Sequence, residues 1–226
     1  MAPSAPFFRL AAASALLTVM TTLCIHLLPE LWSGVTTFEQ RVALRTDPIY
    51  LARLWIVIAH CVLVVISMCA VGLVAARRSP LLSGFGFLGF LVFAGAELMR
   101  TSLAIFALNR TWRAQYAVEQ NESVLQMLRT VMTAFDGVNA SLFFVFSLGF
   151  TTGLACYSAA LLRGEPRHRR LGAVLAVWSV LSTITLVETA LATAALSGYL
   201  GWVGPGFQPA ARAYIGVWLW SAGNRT

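Results

Sequence analysis

The chain lacks lysine altogether and is poor in charge of either sign. Only 11% of its 226 residues are charged, nine of them acidic, while 58% are apolar. A soluble domain carries roughly a quarter of its residues as charges, so a soluble globular fold is excluded and a membrane protein indicated. Its 16 cationic residues are all arginine, giving a net charge of +7. They lie in the gaps between apolar runs and form no basic stripe, so no nucleic-acid partner is expected. Cysteine is also scarce. Cys24, Cys61, Cys69 and Cys156 all sit inside apolar runs with no CxxC pair, which excludes a disulfide framework and a zinc site and leaves them as small buried hydrophobes.

What is abundant is the long apolar run. A helix rises about 1.5 Å per residue and needs about 20 apolar residues to cross about 30 Å of hydrocarbon. Five runs qualify: 10–28, 49–76, 81–108, 130–162 and 171–198. The first ends in Pro29, Glu30, Leu31 and Trp32 without a small-x-small cleavage pattern, and is expected to be a retained span and not a cleaved signal. Asp47–Pro48 and Ser79–Pro80 read as N-cap and first-turn proline of the second and third spans. A short helix at 210–221 follows a Gly/Pro loop and is expected at the interface, partway in, or as a sixth span. The expectation is an all-α polytopic bundle forming one transmembrane domain over residues 1–226.

Two connections carry structure of their own. Thr37 and Gln40 have capping-box spacing, predicting a short amphipathic helix in the first loop. Trp112 and Tyr116, four apart, predict a second interfacial helix leading through Leu125 and Leu128 into the fourth span. Five spans place Arg9, Arg77, Arg78, Arg163, Arg167, Arg169 and Arg170 on one side, with the single acid Glu165 in short loops. The positive-inside rule makes that side cytoplasmic, in a cell (plasma or inner) membrane, with the N-terminus inside.

Function is sought among intramembrane ionisable groups, each costing about 2.5 to 3.5 kcal/mol at a helix centre. Glu97 and Arg100 stand at i, i+3 on the third span, where burial of their face against partners would offset that cost. The partners on offer are Glu188, Asp136, Asn139, His60 and His26. Counting from each span's middle places Glu97, Glu188 and His60 about 4 to 5 Å toward the non-cytoplasmic side, Arg100, Asn139 and His26 near ~10 Å, and Asp136 near ~15 Å. All seven share one leaflet. They are expected to form an outward-facing polar pocket with Arg100 as central cation, or else a fixed ion-pair network holding helices together. His60 is expected to hydrogen-bond a carboxylate.

Smaller patterns read as packing. Gly84, Gly86 and Gly89 match GxGxxG, but no strand precedes them, so helix contact and not a dinucleotide site is expected. Gly149 and Gly153, and the stripe of Ser182, Thr189 and Thr193, read the same way. No cofactor or metal is expected. A bis-histidine haem through His26 and His60 is disfavoured by their ~5 Å difference in depth, and no nucleophile elbow is present.

Several residues together resemble a family of bacterial multi-pass membrane proteins defined only as a domain of unknown function. They are Arg100; Phe143, Phe144, Gly149, Gly153, Tyr157 and Ser158; Pro166, Leu171 and Gly172; and the terminal Pro209, Trp218, Leu219 and Gly223. The resemblance implies a bacterial membrane bundle over nearly the whole chain and carries no activity. The linker from Gly164 to Arg170 is more basic than the family's, and Arg212 stands where the family has an acid. The leading expectation is a non-enzymatic bundle in a lipid bilayer whose pocket binds a small molecule, lipid headgroup or ion, in a transport or accessory role. The alternatives are a membrane enzyme using Glu97 or Glu188 as acid or base with His60, and a structural subunit joined to an oligomer or complex through outward-pointing glycine faces.

Overall fold

The structure, a computed structural model, describes residues 4–191, 193 and 201–224. Eight α-helices are found there and no strand: α1 (Ala5–Leu27), α2 (Phe38–Ala43), α3 (Pro48–Ala76), α4 (Pro80–Leu103), α5 (Arg113–Tyr116), α6 (Glu122–Leu162), α7 (Pro166–Leu191) and α8 (Gln208–Gly223). Five continuous helical stretches, beginning with α1, α3, α4, α6 and α7, are long and apolar enough to cross a membrane. The end of the fifth expected span, 194–198 together with Ala192, lies outside the described residues.

Capping sets several starts. The Asp47 carboxylate accepts from the Ile49 and Tyr50 amides ahead of Pro48. Thr37 and Gln40 close the expected capping box on α2. At Ser79 the proline alone marks the start of α4, for the serine side chain makes no cap.

The long helices form a ring in the order α1, α3, α4, α6, α7, α8, with α8 returning to α1. Outward faces present apolar side chains such as Leu17, Met20, Leu81, Leu88 and Val180, as lipid requires. The interior stacks Phe90, Phe93, Phe150, Tyr157 and Trp178. Neighbouring helices are joined by serines that donate to glycine carbonyls: Ser83 on α4 to Gly72 on α3 at 2.6 Å, and Ser158 on α6 to Gly172 on α7 at 2.9 Å. Such bonds hold helices together where lipid supplies no hydrophobic drive.

The glycines of α4 and α6 divide, with Gly95 and Gly137 exposed and nothing near their Cβ positions. Gly86, Gly89, Gly149 and Gly153 are buried at helix contacts, whereas Gly84 is exposed with nothing near its Cβ position. The condition for the structural-subunit reading, outward glycine faces, is therefore not met by these four. The expected packing stripe on α7 is also corrected. Ser182 lines a cavity, and Thr189, near the end of α7, and Thr193, beyond it, are exposed.

Helix α8 runs antiparallel along α1. Gly204, just before it, faces His26; Gly216 faces Leu16 and Ala12; Gly223 faces Phe8 and Ala5. Its 16 residues thus descend through most of the bundle.

The connection between the third and fourth spans departs from expectation. Residues after Leu103 continue through a π-helical stretch, Ala104–Trp112, and α5 as one 37-residue helical stretch, Pro80–Tyr116, and α6 begins at Glu122 and runs 41 residues. At 1.5 Å per residue these are about 55 and 62 Å long against about 30 Å of hydrocarbon, so the pair projects beyond the bundle as a hairpin. The π-turn is held by Asn109, whose amide donates to the Ala104 carbonyl at 2.7 Å and accepts from Arg113 at 2.8 Å. Helix α2 docks on the hairpin over a second core of Val42, Leu108, Leu128, Met132 and Phe135. Trp112 and Tyr116 serve this core, against Phe135 and Phe38, in place of a separate interfacial helix.

Candidate functional site

The ring lines an open cavity of about 580 Å³ in the half of the bundle below the projecting hairpin. Every helix of the ring contributes: the end of α1 with His26, the first half of α3 with Arg53 and His60, the second half of α4 with Glu97 and Arg100, α6 with Phe143, Phe146 and Phe150, the end of α7 with Glu188, and α8 with Arg212. Alternating helix directions bring these stretches to one level of the bundle.

Glu97 and Arg100 form the central pair. One helical turn apart, they meet in a two-point contact: Arg100 Nε donates to Glu97 Oε2 at 2.7 Å and Nη2 to Oε1. The remaining nitrogen, Nη1, donates to Asn139 Oδ1 at 3.3 Å, and the guanidinium lies over the Phe143 ring. The Glu97 side chain is only 6% exposed, so this ion pair is sealed on its acidic side.

Asp136 does not join them. It stands one turn further along α6, at 69% side-chain exposure, and meets Arg41 at 3.8 Å. Depth in a span fixes height and not direction, and here α2 supplies the nearer arginine at the rim of the hairpin. His60 also departs from expectation: its Nδ1 shares a hydrogen bond with the Thr21 hydroxyl at 2.7 Å, and no carboxylate among the described residues bonds it. The acid/base reading loses the contact it requires. His26 Nε2 lies 3.5 Å from Gln208 Oε1, joining α1 to α8. Glu188 is buried at 9% exposure on the cavity wall.

Two further cations complete the site. Arg53 donates from Nη2 to the Ile25 carbonyl at 3.4 Å, and its Nε is buried without a hydrogen-bond partner among the described residues. Arg212 is 3% exposed; its guanidinium sits 4.8 Å from the Trp178 ring centre and 5.8 Å from that of Phe150. Its Nε and Nη1 have no hydrogen-bond partner among the described residues. Both were legible: Arg53 falls inside the second apolar run, and Arg212 is the one charge between Glu188 and Arg225. Scanning the five long spans for partners of Arg100 passes over a charge in a short helix.

Among the described residues the cavity is thus lined by three arginines, Arg53, Arg100 and Arg212, and two acids, Glu97 and Glu188, and faces them with a wall of phenylalanines. Among the described residues no cluster of three or more His, Cys, Asp or Glu side chains is arranged to hold a metal ion. Comparison with known proteins finds no matching family model, no matching curated protein and no matching solved structure.

Proposed function

We propose that the bundle is a multi-pass protein of a bacterial cell membrane that binds a small molecule or lipid headgroup in this cavity, on the non-cytoplasmic side, in a transport or accessory role. The observation that carries the reading is the cavity itself. Its volume of about 580 Å³ lies within the range of ligand pockets. A structural ion-pair network would be expected to close over its charges, whereas here the Glu97–Arg100 pair opens onto space wide enough for a ligand. Orientation rests on the opposite end of the bundle, where Arg77, Arg78, Arg163, Arg169 and Arg170 crowd the short loops. The likeness to the bacterial multi-pass family belongs to the same reading.

The test is purification from native membranes into nanodiscs, followed by mass spectrometry of co-eluting molecules. Ser147 faces the cavity from α6. Wild type is expected to carry a molecule that Ser147→Trp, which pushes an indole into the space, loses; an identical profile in both would remove the cavity from any binding role.

A further inference from the structure

We infer that the cavity's ligand is an organic anion, a carboxylate or phosphate on an apolar body, whose acidic group is received by Arg212. This rests on the binding reading above and goes further by naming the chemical class.

Arg212 is a buried cation that no acid among the described residues meets in an ion pair. Its guanidinium carbon lies 4.8 Å from the Trp178 ring centre and 5.8 Å from that of Phe150, and cation–π contact of this kind uses none of the guanidinium's hydrogen-bonding capacity toward an acceptor. Two of its nitrogens have no hydrogen-bond acceptor among the described residues. Glu97, a carboxylate in the same cavity, is held at two points by Arg100. An isolated charge in a bundle interior is costly unless a partner of opposite sign and good geometry arrives. A water would supply an acceptor but no charge. A carboxylate or phosphate brings both, with a pair of oxygens that can take two parallel N–H bonds from the guanidinium fork. Arg53, with its own unpartnered Nε, adds a second cation to the same cavity. The phenylalanine wall of Phe93, Phe143, Phe146 and Phe150 gives the rest of the molecule an apolar surface.

The test uses full-length protein in phosphatidylcholine nanodiscs and titration calorimetry with three probes of one shape: cyclohexanecarboxylate, cyclohexylmethanol and cyclohexylmethylammonium. The carboxylate is expected to bind at least about tenfold more tightly than the alcohol, a charge-assisted hydrogen bond being roughly twice as strong as a neutral one, and the ammonium not to compete. Arg212→Met is expected to erase that preference while leaving alcohol binding in place; replacing an unpartnered buried charge by an apolar side chain does not threaten the fold. Repeating the carboxylate titration in nanodiscs containing phosphatidic acid separates the sources. A weakened affinity identifies a phospholipid headgroup as the anion, and an unchanged one a soluble anion.

Equal affinity for carboxylate and alcohol, or a preference that survives in Arg212→Met, overturns the anion assignment while leaving the cavity a binding site. Should Arg212→Met fail to fold, the wild-type comparison of the three probes decides by itself. No saturable binding of any probe, together with unchanged co-eluting molecules in Ser147→Trp, overturns the anion assignment and the binding reading together.

Discussion

Gly89 of α4 lies against the backbone of α6, so close that a Cβ built on it would stand 2.7 Å from the Gly149 carbonyl oxygen. The reciprocal Cβ on Gly149 would meet the Phe93 amide nitrogen at the same distance. With no side chain between the two backbones, Phe90 and Phe93 of α4 reach past the contact and pack on Phe150, which reaches the cavity wall. The helix crossing therefore sets the position of the aromatic side of the site.

Gly89→Ala should accordingly destabilise the bundle by about 1–3 kcal/mol, the usual cost of overpacking, because backbone and not a flexible side chain stands in the way. Gly84→Ala is the matched control: the position is exposed and its Cβ would meet nothing within 4 Å. Thermal unfolding in nanodiscs should separate the two, and equal midpoints would show that the α4–α6 contact is looser than described.

Arg100 and Glu97 make a second prediction, because each is the other's principal partner in a site where Glu97 is nearly sealed. Arg100→Gln strands a buried carboxylate and should cost about 3 kcal/mol of stability. The double replacement Glu97→Gln with Arg100→Gln removes both charges and should cost less than the sum of the single changes. A double-mutant cycle by unfolding in micelles measures the coupling; additivity would show that the pair is not energetically joined.

Much of the bundle was legible because its spans are long and its starts are marked chemically: Asp47 with Pro48, and Thr37 with Gln40, act as their spacing suggests. The unbroken helical extension beyond Leu108 was not, since the spacing of Trp112 and Tyr116 suggests a separate interfacial helix and not a continuation of α4. Its helix is held by contacts far away in sequence, such as Arg113 with Tyr50 at 3.4 Å and Leu108 against Val42 and Leu128. For the site, counting along a helix gave the level at which Glu97, Arg100, Glu188 and His60 meet. It could not give the direction each faces, which is why Asp136 fell outside. Arg212 escaped because α8, at 16 residues, is too short to register as a span by hydropathy, yet it packs along α1 as the sixth member of the ring.

Asp47 supplies the pH dependence. Its carboxylate accepts from the Tyr50 amide, the Trp32 indole and the Ile49 amide, and these hold its pKa below the ordinary value of about 3.9. A group depressed in the folded state contributes stability that is complete above its unfolded pKa and lost as pH falls through its folded one. Melting midpoints measured from pH 6 down to pH 3 should therefore fall less steeply at the acid end in Asp47→Asn than in wild type. Asp47→Ala, which also loses the cap, should lower the midpoint at pH 7 by roughly 2–4 °C. Parallel curves for wild type and Asp47→Asn would mean that these hydrogen bonds do not favour the ionised form.

The course of α8 fixes the relation between the two ends of the chain. Gly223 packs on Phe8 and Ala5, and Arg167 at the start of α7 donates to the Trp218 carbonyl at 2.6 Å and to the Ser221 hydroxyl, so the end of α8 is tied to the short-loop side of the bundle. The hairpin tip, with Val118 at 76% exposure, stands at the other side. Fluorescent-protein fusions before Met1 and after Thr226 should therefore behave alike, both fluorescing if the arginine-rich side is cytoplasmic. Under the same orientation, Val118→Cys should react with a membrane-impermeant maleimide added to intact spheroplasts, and Arg169→Cys should react only after lysis. Unlike fusions would show that α8 does not return along α1. Like fusions with the labelling pattern reversed would keep this geometry but turn the protein over, placing the cavity and its three arginines on the cytoplasmic side, where a different pool of anions would meet Arg212.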